Sequence, residues 1–160
     1  MGNWANGPIA IDVIDDFSDV LRELVAAGAR FLVVGAHALS AHGVPRATVD
    51  LDIWVRPDEA NARLVYDALA RFGAPLESLE VSPADLTRPD VVAQFGLPPY
   101  RIDVLTSVSG LTFDAAWDDR IEGEVEGVRV PILGLASFIQ NKRASGRRKD
   151  LADLESLSIE

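Results

Sequence analysis

The strongest constraint on the fold is a six-residue alternation, Asp50-Leu51-Asp52-Ile53-Trp54-Val55. Leu51, Ile53 and Val55 alternate with Asp50, Asp52 and Trp54, the period of two expected for a strand with one buried face. Both carboxylates therefore leave the same face of one strand. A second segment, Tyr100 to Leu105, repeats the pattern with Ile102 and Val104 on one side and Asp103 on the other. Strands of this kind need a layer packed on their apolar face, and the rest of the chain supplies helical patterns for it.

Phe17, Val20, Leu21, Leu24 and Val25 form a helical stripe. Asp15 and Asp16 are expected to open that helix and Gly28 to end it, with residues 1–10 as a loose lead-in. Phe31 to Val34 reads as a buried strand, ended by Gly35 and followed by a short helix over Ala36 to Ala41. Pro57 is placed in the first turn of the next helix, with Leu64, Val65, Ala68, Leu69 and Phe72 as its apolar face and Gly73 as its stop. Residues 74–90 are irregular, and a strand is expected over Val91 to Phe95. A short helix follows near Phe113 to Trp117. Ile121 to Val125 and Val128 to Ile132 flank Glu126-Gly127 as a hairpin, and residues 134–160 are helical. No segment repeats. The pattern predicts one α/β (α+β) domain over residues 1–160, a short twisted mixed sheet with helices mainly on one side and the site along one edge.

Composition narrows the function. The 160 residues include no Cys, which excludes a disulfide framework, a CxxC redox pair and a thiolate nucleophile. Fifteen basic residues face 25 acidic ones, and the net charge of −10 argues against nonspecific binding to DNA or to anionic membrane. The first residues carry no secretory pattern, Asn6 breaks a myristoylation signal, and no uncharged apolar run reaches the roughly 18 residues of a membrane span. The expectation is a cytoplasmic protein. His37 and His42 have no third partner at a zinc spacing; His37 is placed near the site by adjacency and His42 at a helix end.

Clustered carboxylates repel one another, and desolvation strengthens the repulsion. A divalent cation is one reason to build such a cluster, because Mg²⁺ takes a few carboxylate oxygens and completes its shell with water and phosphates. Two such ions can organise a phosphoryl or nucleotidyl transfer. Upstream, Gly35 stands at a strand-to-helix junction, where backbone N–H groups suit a phosphate. The tail from Asn141 to Asp150 holds Lys142, Arg143, Arg147, Arg148 and Lys149 against one acid. That segment is +4, so the remaining 150 residues sum to −14. Its bland reading is a solvated helix face, with Asp150 and Asp153 as salt-bridge partners. Trp54 shares the acidic face and could stack on a base, but a packed core or interface position is the expected account.

The order Gly35-Ala36-His37-Ala38, Arg46-Ala47-Thr48-Val49-Asp50-Leu51-Asp52, then Asp103, resembles the DNA polymerase β-like nucleotidyltransferase superfamily. The tail from Lys142 to Leu154 is similar to the closing helices of abortive-infection toxin nucleotidyltransferases, and the small antibiotic nucleotidyltransferases share the general organisation. The resemblance spans residues 31 to 157 in outline. It implies an enzyme that moves a nucleoside monophosphate from an NTP to a hydroxyl or phosphate acceptor on RNA, protein or a small molecule. Asp50, Asp52 and Asp103 would be the catalytic metal ligands, for two Mg²⁺ ions or Mn²⁺ in their place. Gly35, Ala36, Arg46, Thr48, Lys142 and Lys149 would contact the nucleotide. Two positions depart from the pattern: Ala36 stands where Gly or Ser is usual, and Val49 where many members have Ser. The alternative is a nucleotide-binding or partner-binding module with little catalysis, such as a toxin–antitoxin component. The chain leaves little room for an acceptor domain, so the acceptor site is expected to be shallow, or shared with a second copy in a homodimer or with a partner protein.

Overall fold

The computed structural model describes residues 9–157, with side chains from residue 15 onward. The elements run α1 (Ile9–Ala26), β1 (Phe31–Val34), α2 (Gly35–Ala41), β2 (Asp50–Val55), α3 (Glu59–Phe72), β3 (Val92–Phe95), β4 (Arg101–Leu105), α4 (Phe113–Asp118), β5 (Ile121–Val125), β6 (Val128–Ile132), α5 (Leu135–Ser145) and α6 (Arg148–Ser156). The first helix starts earlier than expected, so Asp15 and Asp16 lie inside it, and Ile9 and Ala10 are helical rather than part of a lead-in. Residues 1–8 and 158–160 lie outside the described residues. Pro57 stands just ahead of α3, whose cap is Asp58: its carboxylate accepts the Asn61 N–H at 2.8 Å. The hairpin turn forms at Glu126-Gly127, both with positive φ (49° and 78°), as the tightest two-residue turns require.

Six strands form one open sheet in the order β3-β4-β2-β1-β6-β5. β2 runs parallel to β4 and antiparallel to β1, and β1 runs parallel to β6. The register puts Phe31, Val33, Leu51, Ile53, Val55, Ile102 and Val104 on one face. All seven are buried. Phe95 joins that face from β3 and meets Phe72 of α3 with ring centroids 6.2 Å apart. The stripe of α1, with Phe17, Val20, Leu21 and Leu24 all buried, completes this core, while Val25 and Leu64 turn out to be largely exposed.

The opposite face carries Asp50, Asp52 and Asp103 at one end and Trp54 toward the other. Trp54 is 1% exposed and packs edge-on against Phe113 of α4, with centroids 5.2 Å apart. It is a core residue, not a free stacking surface. Helices therefore flank both faces, because the second face is apolar too once it leaves the acidic end. The three acids do not lie on an edge strand either. β2 and β4 are interior strands; Asp50 opens β2, Asp103 stands at the middle of β4, and Asp52 pairs with Val34 at the C-terminal end of the antiparallel neighbour β1.

Candidate active site

Sheet register brings the three acids together. Asp52 lies directly beside Asp103 across the β2–β4 ladder, and Asp50 lies beside Arg101. Val34, the last residue of β1, pairs with Asp52, so the turn into α2 is delivered to the same place. Gly35 opens that helix with φ +70°. A Cβ there would collide with the Asp52 carboxylate, its Cγ lying 3.2 Å from the added carbon. Glycine is thus required twice, for its backbone conformation and for the close approach of the acid.

Crowding shows in the electrostatics. Burial, then the neighbouring Asp103 and Asp50 carboxylates, push the Asp52 pKa up to about 6, with Lys149 pulling weakly the other way. Burial also raises Asp103, against the opposing effect of Arg101. Asp52 and Asp103 stand close enough for a protonated carboxyl on one to bond the other, a contact that raises Asp52 and lowers Asp103. Asp103 is only 8% exposed, and its Oδ1 makes no hydrogen bond. The Arg101 Nε lies 3.3 Å from that oxygen as an ion pair without hydrogen-bond alignment. A neighbouring cavity of about 310 Å³ is lined by Gly35, Asp52, Ser107, Asn141, Lys142 and Arg147, among others. A larger hollow of about 780 Å³ lies between α3 and the 3-10 turn at Pro83–Thr87, where Glu59 and Arg63 are its charged lining residues. It holds none of the clustered acids, so the smaller cavity is the better candidate site.

The solved structures include a crystal structure of a putative nucleotidyltransferase from Thermotoga maritima that is similar to this chain. The TM-score is 0.52 at 17% identity, covering 89% of this chain and 91% of that one. The chain has the nucleotidyltransferase fold. No protein-family model matches the sequence, and no curated protein matches it. Among the described residues no helix is long and apolar enough to cross a membrane.

The remaining expected site residues occupy distinct places. Ala36 follows Gly35 in the first turn of α2 and is half-buried. Thr48 shapes the entry to β2: its Oγ1 accepts the Asp50 N–H at 3.1 Å and donates to the Asp50 carbonyl at 3.2 Å. Arg46 is drawn to the last helix, its Nη2 donating to Asp153 Oδ1 at 2.6 Å. Lys142 lines the cavity but is 7% exposed, and its Nζ reaches Asp150 at 3.2 Å and Asp153 at 3.6 Å. Lys149 is exposed and close enough to act on Asp52. His37 has a pKa lowered by burial, and its Nε2 is buried without a partner. His42 caps α2 and meets the Leu133 carbonyl at 2.8 Å.

Asp150 is completely buried. Burial raises its pKa, but hydrogen bonds from Arg147 and Lys142 outweigh that and hold it below the usual carboxylate range. Asp150 and Asp153 thus anchor the basic tail and the Arg46 loop together around the cavity wall. Arg101 is the residue that the sequence reading gave no role. Its Nη2 donates to Asp50 Oδ2 at 3.3 Å, and its Nε faces Asp103 at 3.3 Å. The signal was present: Arg101 lies two residues before Asp103, on the same strand face.

Among the described residues, no group of three His, Cys, Asp or Glu side chains is arranged to hold a metal ion as it stands. Arg101 meets two of the three acids, Asp50 and Asp103, with its guanidinium. The donor chemistry still fits a hard divalent cation. An unsatisfied, buried carboxylate oxygen on Asp103 adjoins a second carboxyl whose pKa burial and repulsion raise to about 6.

Proposed function

We propose that this protein is a divalent-cation-dependent nucleotidyltransferase that moves an NMP from an NTP to a hydroxyl or phosphate acceptor. The observation that supports it most is the Asp52–Asp103 carboxyl pair beside the Gly35 turn in a nucleotidyltransferase fold. Asp50, Asp52 and Asp103 would hold Mg²⁺ or Mn²⁺, which when bound supplies charge neutralisation at the phosphates and aligns the attacking and leaving oxygens. Asp52, with its pKa raised to about 6, would hold the cation in its ionised form. Asp103 would accept the proton of the acceptor hydroxyl. The backbone N–H groups of Gly35 and Ala36, in the first turn of α2, would bind phosphate oxygens of the NTP. Lys149, exposed and near Asp52, adds positive charge for the triphosphate. The reaction releases pyrophosphate, and catalysis rests on positioning and charge stabilisation.

The acceptor site is shallow or completed by a second copy or partner, and the acceptor is RNA, protein or a small hydroxylated compound. A second reading, a nucleotide-binding or partner-binding module of toxin–antitoxin type with little catalysis, is favoured by one observation. Arg101 and Lys142 are both engaged with acids of this chain rather than free for a ligand. Incubation with Mg²⁺, each labelled NTP and cell extract separates the two. Label transfer that disappears in Asp52→Asn and on adding EDTA supports the enzyme. No transfer, with NTP affinity unchanged by Asp52→Asn or by chelation, refutes it in favour of the module.

A further inference from the structure

Arg101 commits its charge to two acids of the strand cluster, Asp50 and Asp103. Its guanidinium contacts Asp50 Oδ2 through Nη2 and Asp103 Oδ1 through Nε, both at 3.3 Å. Neither contact is an ideal bidentate fork onto one carboxylate, the geometry that makes Arg pairs strong. One is a long hydrogen bond and the other is not aligned at all. The side chain is about half exposed, at 47%, so it can swing into solvent without crossing a packed region. Asp50, also partly exposed, would be freed by that movement, and the orphaned Asp103 oxygen would face the vacated space. Arg101 thus occupies the position of a cation with suboptimal bonds and an open way out.

We infer that Arg101 is an internal counter-cation, which neutralises Asp50 and Asp103 in the empty site and must be displaced when a divalent cation binds. This rests on the reading of the three acids as a cation site and adds a competitor to it. Two consequences follow from electrostatics alone. A guanidinium left near the acids repels an incoming dication, and the two contacts it makes must be broken first, so the wild-type chain binds the metal more weakly than its acids permit. Removing the charge should tighten metal binding while weakening the metal-free fold, where the acids lose their partner. A residue with a purely structural role would shift the second quantity and leave the first unchanged or worse.

The test is Mn²⁺ binding to the full chain without nucleotide, followed by the loss of the free-ion electron paramagnetic resonance signal, with Mg²⁺ titration by calorimetry alongside. Arg101→Gln is expected to bind both ions about tenfold more tightly than wild type, and to melt at a lower temperature in EDTA. Arg101→Lys keeps a positive charge but reaches the two carboxylates less well, and is expected to fall between them. It also serves as the decisive variant should the glutamine form fail to fold. Equal or weaker metal affinity in the variants, with wild type binding normally, overturns the counter-cation assignment and leaves the cation site standing. Absence of binding in wild type and variants alike overturns both.

Discussion

Asp52→Asn tests the electrostatic account of the site most directly, because it removes one charge and keeps the shape. The Asp52 pKa is raised from 3.8 to about 6 by burial and by the Asp103 and Asp50 carboxylates. A raised carboxylate pKa means the folded state binds its proton more tightly than the unfolded chain does. The folded state is therefore favoured at low pH, and that contribution is lost as pH rises from about 4 through about 6. At about 1.36 kcal/mol per unit, a shift of about two units makes ionised Asp52 cost up to about 3 kcal/mol at pH 7.5. At pH 4 the same linkage leaves about 0.5 kcal/mol. An Asn at this position cannot ionise, and its amide can donate to Asp103. Asp52→Asn should thus be more stable than wild type at pH 7.5 by about 1–3 kcal/mol, with a gap that nearly closes at pH 4. Urea denaturation of both proteins at the two pH values in EDTA measures this. Taking the difference between the two proteins cancels acids that Asp52 does not influence, such as Asp150, whose depressed pKa acts in the opposite direction. Adding Mg²⁺ should then stabilise wild type and not the variant. A variant that is no more stable at pH 7.5, or a gap that is independent of pH, would falsify the strain assigned to the carboxyl pair.

Three other perturbations follow from named contacts. Gly35→Ala places a methyl against the Asp52 carboxylate at φ +70°, and should cost about 1–3 kcal/mol by thermal denaturation and abolish label transfer. Lys142→Met removes the cation between buried Asp150 and Asp153. Arg147 still holds Asp150 at 2.7 Å, so a loss of about 2–3 kcal/mol in urea is expected, somewhat below that for a fully orphaned buried charge. Asn61→Ala leaves the Arg30 N–H and the carbonyls of Arg30 and Arg56 without their side-chain partner. It should destabilise by about 2–3 kcal/mol while leaving Mg²⁺ affinity of the folded protein unchanged, since the Asn61 contacts are remote from the acids.

Local alternation and turn chemistry were enough to place each strand, the short helix after Gly35, the Glu126-Gly127 turn and the shared face of Asp50 and Asp52. These features depend on neighbours within a few residues, and side-chain direction along a strand follows from backbone geometry alone. The pairing of Asp52 with Asp103 depended on strand order and register, which no local pattern encodes. The same register sets Arg101 beside Asp50 and delivers Gly35 to the Asp52 carboxylate. Packing likewise decided the fate of the basic tail. Five positive charges are visible in the sequence, but only the docking of α6 on α5 engages Lys142 with Asp150 and Asp153 and leaves Lys149 outward. Helix faces showed the same limit, since Val25 and Leu64 fit an apolar stripe and remain exposed where no partner covers them. The sequence by itself determined which acids share a strand face and which way they point. The tertiary structure decided which charges meet, because repulsion, pairing and pKa all depend on distance through space and on burial.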